Sequence, residues 1–230
     1  MNLLEKEDLI KVKSEELEHA SAEEVIAYAV ETFPNITFAC SFGAEDVVIV
    51  DMIQKISPQT DIFYLDTDFH FKETYETRDR MVERYGLEFV RVSPKLTPEE
   101  QATQYGDELW KTNPNQCCNI RKVEPLTRIL TQYEAWITGI RRDQAPTRAN
   151  AKKIEYDTKF GLVKFNPIAD WTSEDVWNYI RENNVIYNPL HDQNYPSIGC
   201  EYCTRQVMPG EDPRAGRWAG HEKTECGLHK

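Results

Sequence analysis

The sequence predicts an α/β fold, a mostly parallel sheet with helices on both faces. Two observations predict it. Short apolar segments alternate with longer helical ones, and the chain of 230 residues is long enough to bury a sizeable core. Strands separated by helices pair in parallel, because each helix carries the chain back to the same edge of the sheet. Apolar strands of this kind are covered on both faces.

Taken in order, four strands and three helices account for the first part of the pattern. The strands are ITFACSF (Ile36 to Phe42), DIFYLDT (Asp61 to Thr67), LEFVRVS and AWITGI. The helices between them are AEDVVIVDMIQKI after Gly43, KETYETRDRMVERYG closed by Gly86, and IRKVEPLTRILTQY, which has Pro125 in its first turns.

The second part of the chain predicts a hairpin, one helix and then irregular structure. KIEYDTKFGLVKFNPI turns at Gly161, and TSEDVWNYIRENN is a helix capped by Thr172 or Ser173. After Asn188 the chain is rich in Pro, Gly, Cys and Arg. We therefore expect one domain over residues 1–217 and a mobile catalytic tail over residues 218–230.

Composition excludes several classes of function. A formal net charge of −12 argues against nucleic acid as a partner. No stretch reaches the roughly 18 consecutive apolar residues of a membrane helix, and the N-terminal segment is too charged for a signal peptide. We therefore expect a cytoplasmic protein without a membrane partner, whose six cysteines stay reduced and act as ligands or nucleophiles. A homo-oligomer is left open.

Polar residues follow the first two strands, where α/β proteins bind ligands. Ser41 can donate a hydroxyl, and Gly43 lets the backbone approach an oxyanion. Asp66 and Thr67 lie at the same rim, where they can bond a ribose or a base edge. The alternatives are a tight strand-to-helix turn at Ser41 and an ordinary capping or surface role for His70.

Four cysteines form two close pairs. Cys117 and Cys118 are adjacent in NQCCNIRKVEPL, and Cys200 and Cys203 form a C-x-x-C in IGCEYCT. Such pairs suit a metal site better than a set of buried apolar thiols. Adjacent cysteines are awkward around one tetrahedral zinc ion, whereas a cubane cluster offers separate iron corners. The pattern therefore favours one [4Fe–4S] cluster over zinc.

Basic residues collect near these motifs despite the acidic composition. GIRRDQAPTRANAKK follows the fourth strand, CTRQVMPGEDPRAGRW follows the C-x-x-C, and Lys122 follows the Cys-Cys pair. For Arg141, Arg214 and Arg217 we predict recognition of phosphate or sulfate. Lys152 and Lys153 are interpreted as solvated surface charge. Cys226, beside Gly227 near the C-terminus, fits a thiol that must move and react. Cys40 is interpreted as a core residue.

Together these motifs resemble the sulfonucleotide reductases, the adenylyl-sulfate and phosphoadenylyl-sulfate reductase family. The resemblance runs from about Thr37 to the C-terminus and rests on SFGAEDVV, LDTDFHFKETY, CCNIRKVEPL, ITGIRRDQAPTRA, GCEYCT, GEDPRAGRW and EKTECGLH. It implies the adenine-nucleotide α-hydrolase-like fold. The related ATP pyrophosphatases carry an SGGxDS-type loop; here Phe42 and Val47 depart from it, which suits a nucleotide without a pyrophosphate.

The resemblance also implies roles for individual residues. Cys226 matches the nucleophile that attacks the sulfur of adenylyl sulfate, which leaves AMP and an S-sulfocysteine; thioredoxin or a similar dithiol then releases sulfite for cysteine biosynthesis. The four paired cysteines match the ligands of one [4Fe–4S] cluster. The implied substrate-binding residues are Ser41, Phe42, Gly43, Leu65, Asp66, Thr67, Lys122, Arg141, Arg214 and Arg217. His229 is left as a bystander or a proton donor.

Three other functions remain as alternatives at this point. The enzyme can prefer phosphoadenylyl sulfate or accept both nucleotides, although both cysteine pairs favour the adenylyl-sulfate type. An ATP pyrophosphatase-type sulfur transferase would need the intact pyrophosphate loop. A zinc-stabilised binding module with a redox-sensing tail would contain zinc without sulfide.

Overall fold

Six strands form one sheet in the order β3-β2-β1-β4-β6-β5. The computed structural model describes residues 3–223 and 225–228. Neighbouring strands pair in parallel except β5 and β6, which form an antiparallel hairpin at one edge. The strands are β1 Ile36–Ala39, β2 Asp61–Leu65, β3 Phe89–Val92, β4 Ala135–Ile137, β5 Ile154–Asp157 and β6 Leu162–Phe165. The predicted mostly parallel sheet and the hairpin around Gly161 are confirmed.

Helices connect the strands and cover both faces of the sheet. The bounds are α1 Leu3–Glu18, α2 Ala22–Thr32, α3 Ala44–Ile56, α4 Lys72–Tyr85, α5 Pro98–Tyr105, α6 Leu109–Thr112, α7 Pro114–Cys118, α8 Glu124–Leu130 and α9 Ser173–Glu182. Short 3₁₀ turns lie at Arg142–Gln144, Pro146–Arg148, Pro189–Gln193 and Glu201–Cys203. Among the described residues, no helix is both long and apolar enough to span a bilayer.

Local chemistry fixes several of these boundaries. Gly86 ends α4 in the left-handed conformation (φ +65°), which costs glycine no Cβ clash. Thr172 caps α9, and its side chain accepts the amide of Asp175. Both agree with the sequence analysis, and the first predicted strand only ends earlier than expected, at Ala39.

Side chains alternate between two hydrophobic cores, one on each face of the sheet. Phe38, Ile62 and Ile137 face the larger core, which α2, α3 and α9 cover. Phe63 and Trp136, one position out of phase, face a second core under α8. Helices are needed on both faces because central strands such as β4 are apolar and buried at every position.

The predicted helix at Ile120 to Tyr133 is not continuous. A π-helical turn over Asn119–Val123 leads into α8, and the amide of Glu124 donates to the carbonyl of Asn119, five residues back. Pro125 has no amide to donate to the carbonyl of Arg121, so the regular ladder is interrupted where the chain widens. This turn directly follows the cysteine pair and contains Lys122.

Candidate active site

A cavity of about 610 Å³ opens at the carboxyl ends of β1 and β4. β1 lies between β2 and β4 in the sheet, so the connections that leave β1 and β4 diverge there. Such a switch point is where open α/β sheets bind ligands. The walls come from the loop after β1, the loop after β4, the turn at Lys122 and the segment from Asp212 to Leu228.

The loop after β1 presents a helix N-terminus to the cavity. Gly43 is the N-cap of α3 and lines the cavity without a side chain to shield the amides. The hydroxyl and the amide of Ser41 both donate to Asp46 Oδ2, at 2.5 and 2.6 Å. Burial raises the pKa of Asp46 to about 6, although the bonds from Ser41 oppose this shift. The loop is therefore held from inside and leaves its backbone facing the cavity.

The side chain of Phe42 anchors this loop in the hydrophobic core. Its backbone is in the left-handed region (φ +62°), and its side chain is 2% exposed in the core. Its ring centroid lies 5.0 Å from that of Phe89 and 5.5 Å from that of Tyr64, both in edge geometry. The side chain of Phe42, unlike Ser41 and Gly43, does not line the cavity.

Only some of the residues at the end of β2 and directly after it line the cavity. Leu65 lines the cavity, and its carbonyl accepts a hydrogen bond from His70 Nε2 at 2.8 Å. Asp66 is turned away, because it accepts bonds from Tyr75 at 2.7 Å and from Arg91 at 2.6 Å. The hydroxyl of Thr67 lies 3.4 Å from the sulfur of Cys200. The structure thus places Thr67 beside the paired cysteines.

The four paired cysteines gather beside the cavity. Cys117 and Cys118 end α7, Cys200 pairs with His70 in an isolated bridge, and Cys203 ends a 3₁₀ turn. Burial, reinforced by neighbouring thiols of the group, raises the pKa of Cys117 to about 12 and that of Cys203 to about 11. Within the described residues, no three His, Cys, Asp or Glu side chains are arranged to hold a single metal ion.

Apolar residues surround these thiols. Cys117 and Cys200 pack with Phe69 and Leu109, and Cys203 and Trp110 border them. Cys118 is not in this apolar group, but it is close enough to Cys117 and Cys200 for their charges to interact. Four clustered and mostly buried thiols are the donor set that an iron–sulfur cluster requires, because ligation removes the cost of burying each thiolate. The residues present therefore fit such a cluster.

Lys122 lies between the paired cysteines and the tail. It is half-buried and lines the cavity. Burial opposes its charge, but the nearby thiols of Cys200 and Cys226 raise its pKa above the ordinary value. One ammonium group thus faces both sets of sulfur atoms.

Arg217 is fixed against the C-x-x-C segment. Its guanidinium donates to the Ser197 hydroxyl at 3.1 Å and packs on Gly199, where an added Cβ would lie 2.4 Å from Nη2. Its Nε is buried and has no hydrogen-bond partner among the described residues, and the side chain lines the cavity. A buried cationic donor without an acceptor favours an anionic ligand at this wall.

Arg214 and Arg141 also line the cavity. Burial and the neighbouring Arg217 lower the pKa of Arg214, which Cys226 partly opposes. Arg141 donates from Nε and Nη2 to Glu45 Oε1 at 3.0 and 2.9 Å, and also to Asp143. The charge of Arg141 is therefore already compensated, which sequence patterns do not reveal.

Cys226 lines the same cavity and is half-buried. Lys122, Arg214 and Cys118 are close enough for its charge to affect their pKa values. The tail around it is docked onto the domain, and Glu225 is only 5% exposed. His229 lies outside the described residues. Cys40 is 4% exposed in the larger core, and burial raises its pKa well above the ordinary value.

Sequence reasoning did not assign several residues that line the cavity. They are Glu45, Asp46, Gln144, Arg148, Trp177, His191 and Glu225. Arg148 belongs to the basic segment noted in the sequence, and Glu225 adjoins Cys226. Glu45 and Asp46 follow Gly43, and Gln144 lies three residues after Arg141. For Trp177 and His191, proximity along the chain gives no signal, because they come from segments distant in sequence.

The fold and the cavity define an α/β protein of the nucleotide-binding kind. The chain belongs to the phosphoadenosine phosphosulfate reductase family, whose domain model matches residues 35–206. It is 52% identical over 216 residues to an adenosine 5′-phosphosulfate reductase of Halalkalibacterium halodurans, covering 93% of this chain and 94% of that protein. The predicted family is confirmed.

Solved structures agree with this assignment. The phosphoadenylyl-sulfate reductase of Candida auris, a phosphate complex, has a TM-score of 0.77 and 35% identity, over 86% of this chain and 96% of that one. The FMN adenylyltransferase of Candida glabrata, with FAD and pyrophosphate, has a TM-score of 0.57 at 17% identity, over 85% and 72% of the two chains. The second likeness shows the fold alone, and the predicted fold class is confirmed.

Proposed function

We propose that the protein reduces adenosine 5′-phosphosulfate to sulfite and AMP in sulfate assimilation, with Cys226 as the nucleophile. One observation carries the proposal: the thiol of Cys226 lines a cation-rich nucleotide cavity together with Lys122, Arg214 and Arg217. The name of the Halalkalibacterium relative states the same substrate. Reduction by thiols requires a reducing compartment, so we place the enzyme in the cytoplasm.

Nucleotide binding uses the loop after β1 and the arginines of the C-terminal segment. The N-terminus of α3 at Gly43 attracts phosphate oxygens, because its amides point outward and the helix dipole is positive there. Arg217 offers its unpartnered Nε to an anionic oxygen. The cavity, at about 610 Å³, is in the usual range for a small ligand of this kind.

Sulfur transfer then proceeds at Cys226. The thiolate attacks the sulfur of the bound sulfonucleotide, the bond between that sulfur and the phosphate oxygen breaks, and AMP leaves with the electron pair. A dithiol, for which we propose thioredoxin, attacks the Cys226 sulfur. Sulfite departs with the electrons of the sulfur–sulfur bond. The second thiol closes a disulfide and restores Cys226, so the dithiol supplies two electrons.

The cations offset the repulsion between thiolate and sulfate. Two like charges about 4 Å apart repel by on the order of 4 kcal/mol at an effective dielectric near 20. That is roughly a thousandfold in rate. Lys122 lies near Cys226 and half-buried, where its positive charge counters both groups.

A [4Fe–4S] cluster held by Cys117, Cys118, Cys200 and Cys203 is part of the proposal. The four thiols lie close together next to Lys122, and three of them share one apolar environment, which is what supports it. When bound by these four cysteines, such a group would supply a fixed negative charge beside Lys122. The electrons for sulfite formation come from thiols. Lys122 then holds its proton and orients the sulfate.

The experiment is peptide mass spectrometry of the C-terminal tryptic peptide after anaerobic incubation with adenosine 5′-phosphosulfate alone. We expect Cys226 to gain one SO₃ unit, about 80 Da, because it is the attacking nucleophile. Added dithiol should remove this mass and release sulfite. Cys226→Ser should bind AMP as before and form no adduct. An adduct on Cys40, or turnover by Cys226→Ser, would contradict the mechanism.

Phosphoadenosine phosphosulfate is the second candidate substrate, because the Candida auris relative is named for it. The same experiment distinguishes the two. Faster adduct formation with the 3′-phosphorylated nucleotide would favour this alternative, whereas we expect the unphosphorylated nucleotide to react faster.

A further inference from the structure

Glu225, the residue before the nucleophile, makes a buried ion pair with the loop after β4. Its two carboxylate oxygens accept from Arg148 Nε and Nη2, both at 2.9 Å, in a bidentate arrangement. The Thr147 hydroxyl adds a third bond at 3.1 Å, and Arg214 Nη2 lies 3.5 Å away. We call Glu225, Arg148 and Thr147 the Glu225 latch.

The latch is built as an interior pair. The side chain of Glu225 is 3% exposed and that of Arg148 is 11% exposed. Arg148 is itself braced, because Nη1 donates to Gln144 at 2.6 Å. Removing one partner of such a pair leaves the other buried and unpaired, which is strongly unfavourable. Arg148, which donates two hydrogen bonds to Glu225, is therefore the main counter-charge that keeps this carboxylate buried.

The latch restrains the reacting atom directly. Consecutive Cα atoms lie about 3.8 Å apart, so a fixed Glu225 leaves Cys226 only a short range of positions. On the other side of Cys226, Lys159 donates to the Gly227 carbonyl, and Leu228 packs against the second core. The tail is thus held on both sides of the thiol.

We propose that Glu225 is a positioning residue, whose ion pair with Arg148 docks the tail and holds Cys226 in the cavity before substrate binds. The proposal rests on the proposed role of Cys226 as the nucleophile. It assigns Arg148 to the tail and Arg217 to the nucleotide. Release of the tail to a dithiol requires the latch to open.

The test compares alkylation of Cys226 by iodoacetamide in the substrate-free enzyme, followed on the tryptic peptide that contains it. Glu225→Gln keeps the size of the side chain but loses its charge. We expect alkylation to become about tenfold faster or more, because the buried Arg148 no longer has a counter-charge. Glu222→Gln, at an exposed glutamate in the same tail, is the matched control and should react like the unaltered protein.

A double-mutant cycle identifies the partner. If the latch is correct, Glu225→Gln should have little further effect once Arg148→Ala is present, because both remove the same interaction. The proposal would be overturned if the effects of the two substitutions on the alkylation rate multiplied in the double variant. It would also be overturned if Cys226 were alkylated equally fast in Glu225→Gln and in the unaltered enzyme.

A second readout separates positioning from structure. In single-turnover experiments, Glu225→Gln should form the Cys226 adduct about tenfold more slowly while its affinity for AMP is retained or tightened, since one negative charge has left the cavity. Equal loss of AMP binding and adduct formation would mean a general structural role. Absence of the adduct in the unaltered enzyme would refute the proposed function instead, and alkylation would still report on the latch.

Discussion

Ser41 donates both its amide and its hydroxyl to a single oxygen of Asp46, so one buried carboxylate organises the loop after β1. Gly139 on the neighbouring loop makes room for this carboxylate, because an added Cβ there would lie 2.1 Å from Asp46 Oδ1. The loop after β4 thus packs closely against the loop that follows β1. Asp46 is only 8% exposed, and burial raises its pKa.

Asp46→Asn should change how stability depends on pH. The folded-state pKa of Asp46, about 6, lies above the ordinary 3.8, so the folded protein binds this proton more tightly than the unfolded chain. The contribution of Asp46 to the free energy of unfolding therefore falls as pH rises between these values, by on the order of 2–3 kcal/mol at about 1.4 kcal/mol per pKa unit. Asparagine does not titrate.

The measurement is urea unfolding at pH 4.5, 6 and 7.5. Asp46→Asn should gain stability relative to the unaltered protein as pH rises through this window. Asp107→Asn, at an exposed site, should not. Parallel stability curves for Asp46→Asn and the unaltered protein would refute the raised pKa.

Gly199→Ala should weaken nucleotide binding without touching the nucleotide. The added Cβ would lie 2.4 Å from Arg217 Nη2 and 2.9 Å from Nε, so the guanidinium must move. We expect AMP affinity to fall by about 1.5–3 kcal/mol, the range for a lost charge-assisted hydrogen bond. Isothermal titration calorimetry measures it. Ser197→Ala, which removes only one partner of Arg217, should have a smaller effect.

Replacing the cations of the cavity should affect either nucleotide binding or the chemical step, depending on the residue. Arg214→Ala and Arg217→Ala should each weaken AMP binding by roughly 1.5–3 kcal/mol. Lys122→Ala should instead slow adduct formation in single-turnover experiments, because its charge interacts with Cys226 and with the paired cysteines. Lys152→Ala, at an exposed position, is the control and should change neither quantity. Unchanged kinetics in all three arginine and lysine variants would return them to surface charge.

Replacing any of the four paired cysteines should remove the iron. We expect anaerobically purified protein to contain about four irons and four sulfides per chain, as a cubane cluster requires. Cys200→Ser should lose both together with activity, whereas Cys40→Ala, in the core, should keep them. Zinc without acid-labile sulfide, or a colourless and active Cys200→Ser, would exclude the cluster.

The fold was largely predictable because its strands and caps are local signals. Apolar runs, Gly86 and Thr172 each determine one boundary through backbone conformation or capping. Helices α1 and α2 and the short helices α5 to α7 were not predicted. The π-helical turn was missed too, because a proline in a helical pattern indicates an interruption but not its form.

The site was predictable where residues act by chemical type, and less so where they act through partners. Lys122, Arg214, Arg217 and Cys226 do line one cavity. Asp66 also follows a strand and was predicted to bind substrate, but its carboxylate accepts hydrogen bonds from Tyr75 and Arg91 instead. Its partners come from another helix and strand, so only the three-dimensional arrangement shows which way the carboxylate turns.

The walls of the cavity come from segments spread between residues 39 and 228, near residues 39–46, 63–70, 122–126, 136–148, 173–198, 212–218 and 225–228. A nucleotide that fills the cavity therefore acts as a reversible cross-link between parts of the chain that touch only in the folded state. Bound at a hundredfold its Kd, such a ligand adds about 2.7 kcal/mol to the free energy of unfolding. AMP should accordingly slow proteolysis of the tail and of the core loops together, which makes product occupancy a determinant of how long the enzyme survives.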